Sequence, residues 1–193
     1  MSEKENLIED ILQRELKMFL SVHPRYPAGC QEHPDAFLIH RGAQFSVWSE
    51  EALRSYRVDL VDAEKQNHNL MTLKYARMEN LIPDLKTNPL MNEIVKMELE
   101  SQREMFLHYP NILSQGRPLE DDSMGATSFS TYLRGELETY SDRTLELLHR
   151  DIKQARDRGE NRTRQLYDNL CRSLGYKSLD EAEKIMREKN ALT

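Results

Sequence analysis

The strongest constraint on the fold of this chain is an internal repeat. The stretch "FSVWSEEALRSYRVDLVDAEKQNHNLMTLKYARM" (residues 45–78) aligns without a gap on "LETYSDRTLELLHRDIKQARDRGENRTRQLYDNL" (residues 137–170). Identical residues coincide at Ser49/Ser141, Leu53/Leu145, Asp59/Asp151, Ala63/Ala155, Asn69/Asn161 and Tyr75/Tyr167. The apolar residues also coincide, and their separations of three, four and eight positions are typical of one helical face. The repeat therefore predicts two copies of one helical unit.

Both copies carry the same local signal for a break within the aligned stretch. Asn67 aligns with Gly159, and Asn and Gly tolerate the left-handed conformation that often ends a helix. Two positions later, Asn69 and Asn161 are suited to begin the next helix as N-caps. We expect each copy to contain a long continuous helix, a tight turn and a shorter helix.

A further helix opens each copy, and another closes the chain. The segment at residues 6–16 resembles the segment at residues 89–99, and Glu15 and Glu98 correspond in this comparison. Asn88 and Pro89 form an N-cap and first-turn pair. Ser178 and Glu181 have the spacing of a capping box and predict a last helix that runs to about Asn190.

These elements together predict an all-α fold, an internally duplicated helical bundle with two repeats of about three helices each. The first repeat covers residues 5–82 and the second covers residues 88–175, with the C-terminal helix at about 178–190. Three helices are too few to enclose a good core, so we expect the repeats to pack about a pseudo-two-fold axis in a single domain over residues 1–193.

Charge and cysteine content narrow the classes of function. The chain has 27 Lys and Arg against 33 Asp and Glu, a net charge of −6, and its basic residues are scattered. Direct binding to nucleic acid is not expected, because it requires clustered Lys and Arg. No stretch has the roughly 18 apolar residues of a membrane span, and we expect no secretory signal in the opening residues. Cys30 and Cys171 fit neither a disulfide framework nor a zinc site, which favours a reduced, cytoplasmic protein.

One wall of a binding site is predicted where the long helix of the first copy begins. Arg41, Gln44 and Trp48 are spaced i, i+3 and i+7, and therefore share one side of a helix. A guanidinium, an amide and an indole together can bind an anionic or amide-bearing ligand. The alternative is an ordinary solvated helix flank.

The second copy predicts an opposing wall. Arg134, Glu136 and Tyr140 occupy the matching segment, in which Glu136 replaces Gln44 and Tyr140 replaces Trp48. We expect a small polar or anionic molecule to bind between the two walls, where the repeats meet.

The loops between the first and second helices hold the remaining candidates. Cys30 is a candidate nucleophile, with Gln31 beside it as a ligand-binding amide, although a Cys in this setting is more often a packing residue. Glu136 is a second catalytic candidate. Arg117 lies in "GRPLEDD" and is a candidate ligand-binding residue, while the acids of this segment are more typical of a solvated turn than of a Mg²⁺ site.

No metal site is predicted. A di-metal bundle requires two E-x-x-H motifs, whereas the chain supplies one at Glu146 and His149 and has Arg54 and Arg57 at the corresponding positions. The motifs GxGxxG, GxSxG and HExxH and the P-loop are absent from the sequence. The cofactor requirement stays open.

The segments "RGAQFSVWSEE", "GRPLEDD" and "YLRGELETYSD" resemble a bacterial family catalogued only as a domain of unknown function. The resemblance extends from the first helix to "LGYKSLDEAE" and implies a cytoplasmic bacterial protein. Some relatives are joined to a nucleotidyltransferase-like domain, which implies a protein partner of that kind. The family has no established activity, so the resemblance implies no catalytic role for any residue.

Three hypotheses about function follow. The first is a binding or accessory module that holds a small polar or anionic ligand, or a protein partner, in a cleft between the repeats. The second is a hydrolase or transferase that depends on Cys30 or on a carboxylate such as Glu136. The third is a structural interaction module that uses its charged outer helical faces.

Overall fold

The computed structural model of the chain describes residues 2–22, 33–122 and 127–191. These residues form ten α-helices and no strand, which confirms the predicted all-α class. The helices of the first half are α1 (Glu3–Leu20), α2 (Pro34–Ser46), α3 (Glu50–Lys65) and α4 (Leu70–Met78). The rest of the chain forms α5 (Pro89–His108), α6 (Pro110–Leu113), α7 (Phe129–Leu137), α8 (Asp142–Asp157), α9 (Arg162–Ser173) and α10 (Leu179–Asn190).

The predicted turns and caps are present. Asn67 and Gly159 adopt φ values of 54° and 71° after α3 and α8, in the left-handed region. The side chains of Asn69 and Asn161 then accept hydrogen bonds from the backbone N–H groups of the first turns of α4 and α9. Each of these signals acts within a few residues of its own position, which is why the sequence alone indicated them.

The predicted long helix of each copy is divided in two. Ser49 is the N-cap of α3, and its hydroxyl oxygen accepts a hydrogen bond from Ala52 N–H at 3.2 Å. Ser141 begins α8 in the same way through Thr144 N–H, also at 3.2 Å. The prediction of a continuous helix was wrong here, because the apolar spacing continues across a break that a serine cap creates. Arg41 and Gln44 therefore lie on α2, and Trp48 lies in the turn that follows it.

The helix contacts fall into corresponding pairs. Helix α1 packs on α2, α3 and α4, and α5 packs on α7, α8 and α9. Between the halves α3 packs on α8, α2 on α9 and α4 on α7. Two reciprocal hydrogen bonds join the halves: Ser49 N–H donates to Asp151 at 3.3 Å, and Ser141 N–H donates to Asp59 at 3.0 Å. These pairs are those expected of a pseudo-two-fold bundle, although the duplication itself stays a prediction.

A continuous apolar core contains residues of both halves. Among its fully buried members are Ile11, Phe45, Leu53, Leu60, Leu137 and Leu145. A smaller cluster joins α6 and α10 to the end of α5, where Met105, Leu113 and Leu179 are buried. In the described part of the chain no helix combines the length and apolar composition needed to cross a bilayer.

Candidate functional site

A cavity of about 910 Å³ lies between the halves, beside the contact of α2 with α9. Its wall is formed mainly by apolar side chains from α2, α5, α7, α8 and α9. Representative members are Phe37, Ile94, Leu133, Leu148, Ile152 and Leu166. Arg41, Gln44, Trp48, Glu136 and Tyr140 also reach this wall, so the structure brings most residues of the two predicted walls to one place.

The polar part of this wall is a buried charge network, which we define as Glu15, Arg41, Lys74 and Glu136. Arg41 is 3% exposed, and its side chain lies between two carboxylates. Its Nε and Nη2 donate to the two oxygens of Glu15, the Nε bond being 2.7 Å, and its Nη1 donates to Glu136 at 2.7 Å. Tyr56 Oη donates to Glu15 at 2.6 Å. Arg41 thus joins α1, α2 and α7 through a planar fork of charge-assisted bonds.

Glu136 is the meeting point of this network. Lys74 Nζ donates to its Oε2 at 2.8 Å, and Gln44 Nε2 donates to its Oε1 at 3.1 Å. Tyr140 Oη donates to the same Oε1. The Oε1 of Gln44 accepts from Arg41 Nη1 at 2.6 Å, so the amide is fixed at both ends. The two predicted walls therefore contact each other directly here, and the cavity lies beside the contact.

The electrostatics of Glu136 follow from this enclosure. Burial by itself would raise the pKa of the Glu136 carboxyl, but the charges of Arg41 and Lys74 outweigh burial and hold that pKa well below its usual range. Within the network, the two carboxylates of Glu15 and Glu136 balance the positive charges of Arg41 and Lys74. A carboxylate with a lowered pKa and this many donors is a weak base, which bears on its predicted catalytic role.

An aromatic cluster continues the wall beyond the network. Trp48 is 5% exposed and meets the ring of Tyr140 edge-on, with ring centroids 5.8 Å apart. Tyr140 meets Tyr56 at 4.7 Å, and Phe45 meets Trp48 at 5.2 Å. Edge-to-face contacts of this kind fix ring orientation. The indole is therefore a rigid part of the cavity wall, where the sequence predicted a binding residue.

A second carboxylate, that of Glu98, faces the cavity and is not enclosed by hydrogen-bond donors as Glu136 is. Glu98 is surrounded by protein atoms but keeps some surface against the cavity, and it accepts a long hydrogen bond from Thr163 Oγ1 at 3.5 Å. Burial raises the pKa of Glu98, although the charge of Arg162 and the hydrogen bond from Thr163 act in the opposite direction. Glu98 and Arg162 are close, but they form no direct ion pair.

Arg162 itself is incompletely paired. Its Nη2 donates to the backbone oxygen of Val47 at 2.9 Å, at the C-terminal end of α2. Its Nε and Nη1 are buried and have no hydrogen-bond partner, and no other buried side-chain nitrogen or oxygen of the described residues is in that state. Buried donors are normally satisfied, so an unpartnered pair at a cavity wall indicates that an acceptor belongs there.

The remaining candidates are dispersed. Arg117 lines the cavity, stacks on Tyr132 at 4.9 Å and donates to the backbone oxygen of Thr127 at 3.0 Å. Arg134 is exposed, donates to Asn92 at 2.8 Å and borders a separate pocket of about 520 Å³ at the α4–α7 contact. Cys30 and Gln31 lie outside the described residues. Ligand binding by the predicted residues stays a proposal.

Residues of the acidic segment "GRPLEDD" and of the E-x-x-H pair form hydrogen bonds with other residues of the protein. Asp122 accepts hydrogen bonds from Ser128 N–H at 2.6 Å and Thr131 Oγ1 at 2.8 Å, next to the start of α7. His149 contacts Glu93 at 2.7 Å, and Glu146 contacts Arg143 at 3.4 Å. Within residues 2–22, 33–122 and 127–191, no group of three or more His, Cys, Asp or Glu side chains is arranged to hold a metal ion.

Neither Lys74 nor Arg162 was identified as a site residue from the sequence, and no binding role was predicted for Glu98. Lys74 had a detectable signal, because it follows Leu70 and Met71 on the inward face of α4, where a Lys is unusual. Glu98 was identified only as the counterpart of Glu15. For Arg162 the sequence offers no signal, since it is the first residue of α9 and its environment comes from other helices.

No match was found among curated proteins or solved structures. A family profile described as "Protein of unknown function (DUF4125)" matches residues 5–184. The match confirms the predicted resemblance to a domain of unknown function, while the link to a nucleotidyltransferase-like domain and the bacterial origin stay predictions. With nearly all of its length covered by the profile, the chain belongs to the family "Protein of unknown function (DUF4125)".

Proposed function

We propose that this protein binds a small molecule with a largely apolar body in the cavity between its two halves. The observation that carries the proposal is the cavity itself, about 910 Å³ in volume with a mainly apolar wall. Ligand sites in proteins range over roughly 300–1,000 Å³ and are lined by apolar and aromatic side chains with few polar groups.

The wall is held in place independently of any ligand. The buried charge network fixes α2 and α7, and the aromatic cluster around Trp48 fixes the turn after α2. A preformed wall lowers the ordering cost of binding. The network supports the site in this view, and the ligand occupies the apolar space beside it.

Two other predicted roles are separate proposals. Association with a nucleotidyltransferase-like protein rests on the resemblance, and hydrolase or transferase chemistry rests on Cys30 and Glu136. Neither has support among the described contacts comparable to that of the cavity.

Binding can be tested with N-phenyl-1-naphthylamine, a neutral apolar dye that fluoresces strongly away from water. Trp48 is the sole tryptophan of the chain and lines the cavity, so its emission reports on a nearby dye by energy transfer. We expect saturable, stoichiometric binding with transfer from Trp48. The variant Trp48→Phe should keep the dye's own fluorescence response and lose the transfer.

A matched pair of substitutions locates the site. Leu166→Phe adds volume at the cavity wall and should weaken dye binding several-fold. Leu73→Phe makes the same change at a partly buried leucine of α4 that does not line the cavity, and should leave binding unchanged. Dye fluorescence that never saturates, or equal dissociation constants for the two variants, would contradict the proposal.

A further inference from the structure

The unpaired donors of Arg162 identify the polar end of the cavity. The guanidinium carries several N–H donors in a rigid plane, and here one nitrogen is used by Val47 while Nε and Nη1 have no partner. Arg is permanently charged, so it cannot relieve this state by losing a proton. The missing partner is therefore an acceptor, and an anionic acceptor fits the charge.

The charges around Arg162 favour an anion with a single negative charge. Lys4 lies nearby and donates to the backbone oxygen of Ser46 at 2.6 Å. Glu98 contributes one carboxyl group near Arg162 and accepts a long hydrogen bond from Thr163 at 3.5 Å. A doubly charged phosphate would meet repulsion from Glu98 once that carboxyl ionises, whereas a carboxylate brings one charge to the two cations.

The apolar end begins next to this polar end. Ile94 precedes Glu98 by four positions on α5, and Leu166 follows Arg162 by four positions on α9, so each lies one helical turn from its polar neighbour. Both line the cavity, together with Leu148 of α8. The geometry therefore places an anion-binding end and an apolar chamber side by side.

We propose that the ligand is an amphipathic monocarboxylate, with its carboxylate at Arg162 and its apolar body in the chamber bounded by α5, α8 and α9. This inference rests on the proposed binding function and adds the chemical class of the ligand. Arg162 is the specificity-determining residue, and Glu98 limits the head group to one negative charge.

The test is displacement of N-phenyl-1-naphthylamine by three compounds with the same ten-carbon chain: decanoate, 1-decanol and decyltrimethylammonium. In the unmodified protein we expect decanoate to compete at roughly 10- to 100-fold lower concentration than 1-decanol, because it adds a charge-assisted hydrogen bond at Arg162. Decyltrimethylammonium should be the weakest competitor. Decyl phosphate serves as the doubly charged comparison and should compete less well than decanoate above neutral pH.

The variant Arg162→Gln should remove the advantage of decanoate over 1-decanol while keeping dye binding. Arg164→Gln, an exposed position on the same helix, is the matched control and should keep the advantage. Retained dye binding shows that a variant is folded. Equal competition by decanoate and 1-decanol in the unmodified protein, or an unchanged preference in Arg162→Gln, would overturn the monocarboxylate proposal and leave the cavity function standing. Absence of dye binding by the unmodified protein would overturn both.

Discussion

Glu15 and Glu98 occupy corresponding positions in the two aligned halves, yet one is closed within the protein and the other faces a cavity. Glu15 is 0% exposed and is held by Arg41 and Tyr56. In the register of the repeat, the positions of Arg41 and Tyr56 are occupied by Leu133 and Leu148 in the second half. Both leucines line the cavity, so Glu98 has no equivalent partners.

This difference shows how similar arrangements of helices can place a carboxylate in different surroundings. Where Arg and Tyr are present, the carboxylate is satisfied internally and the site is structural. Where leucines replace them, the space beside the carboxylate becomes apolar and the nearby Arg162 is left with unpaired donors. The absence of these internal partners leaves open the region in which we propose that a ligand binds.

The helix contact beside the buried charge network and the helix contact beside the cavity also differ. At the α4–α7 contact, a Cβ added at Gly135 would lie 3.0 Å from Met78 Cγ and 3.1 Å from the backbone oxygen of Lys74. That close approach lets Lys74 reach Glu136. This contact borders the pocket of about 520 Å³, whereas the α2–α9 contact borders the larger cavity of 910 Å³. A small residue thus lets α4 and α7 approach closely, and large apolar side chains line the cavity beside α2 and α9.

The largest expected effect comes from removing Arg41, the cation that joins the two carboxylates of the buried charge network. Arg41→Gln leaves two buried carboxylates without their shared cation, and we expect a loss of about 3–5 kcal/mol in the free energy of unfolding. Urea unfolding near neutral pH measures it. Arg143→Gln, which removes an exposed arginine paired with Glu146, should have little effect. Comparable losses for both variants would show that the buried network contributes no more to stability than an exposed ion pair, which would contradict the proposed difference between the two regions.

A second substitution tests the close helix contact. Gly135→Ala forces Met78 or the backbone of α4 to move, and we expect a loss of about 1–3 kcal/mol. Gly42→Ala is its control on α2, because the added Cβ would make an ordinary contact 3.8 Å from Leu12. That variant should be stabilised by roughly 0.5–1 kcal/mol through helix propensity. Thermal unfolding should thus shift in opposite directions, and equal shifts would refute the close approach.

The smallest expected effect distinguishes the two carboxylates by pH. The pKa of Glu98 is raised in the folded protein by burial, so folding favours its protonated form, and its contribution to stability is lost as the pH rises from the unfolded pKa through the folded pKa. Glu98→Gln should therefore be modestly more stable than the unmodified protein at pH 8, with the difference vanishing near pH 4.

Glu136 should show the opposite dependence. Its pKa is lowered in the folded protein by Arg41 and Lys74 in spite of burial, so its contribution is present above the unfolded pKa and is lost as the pH falls. Urea midpoints measured from pH 3 to pH 8 would reveal both trends. A stability profile for Glu98→Gln parallel to that of the unmodified protein would remove the distinction between the two carboxylates.

Part of the candidate site was accessible from sequence. Arg41, Gln44, Trp48, Arg134, Glu136 and Tyr140 were predicted to meet at the seam between the halves, and all of them except Arg134 reach one wall of the cavity. Their pairing was not predicted, because spacing along a helix indicates which face a residue shares and not which charge it will meet. Arg41 therefore carried a predicted ligand role while its guanidinium is bonded to Glu15, Gln44 and Glu136.

The helical class, the turns at Asn67 and Gly159, and the caps at Asn69 and Asn161 follow from the sequence alone, because each depends on the backbone preferences of a few neighbouring residues. Which carboxylate is neutralised and which faces the cavity depends on how the helices pack in three dimensions. That outcome depends on side chains far apart in the chain, since Arg162 meets Val47 and Glu98 only where α9 packs on α2 and α5.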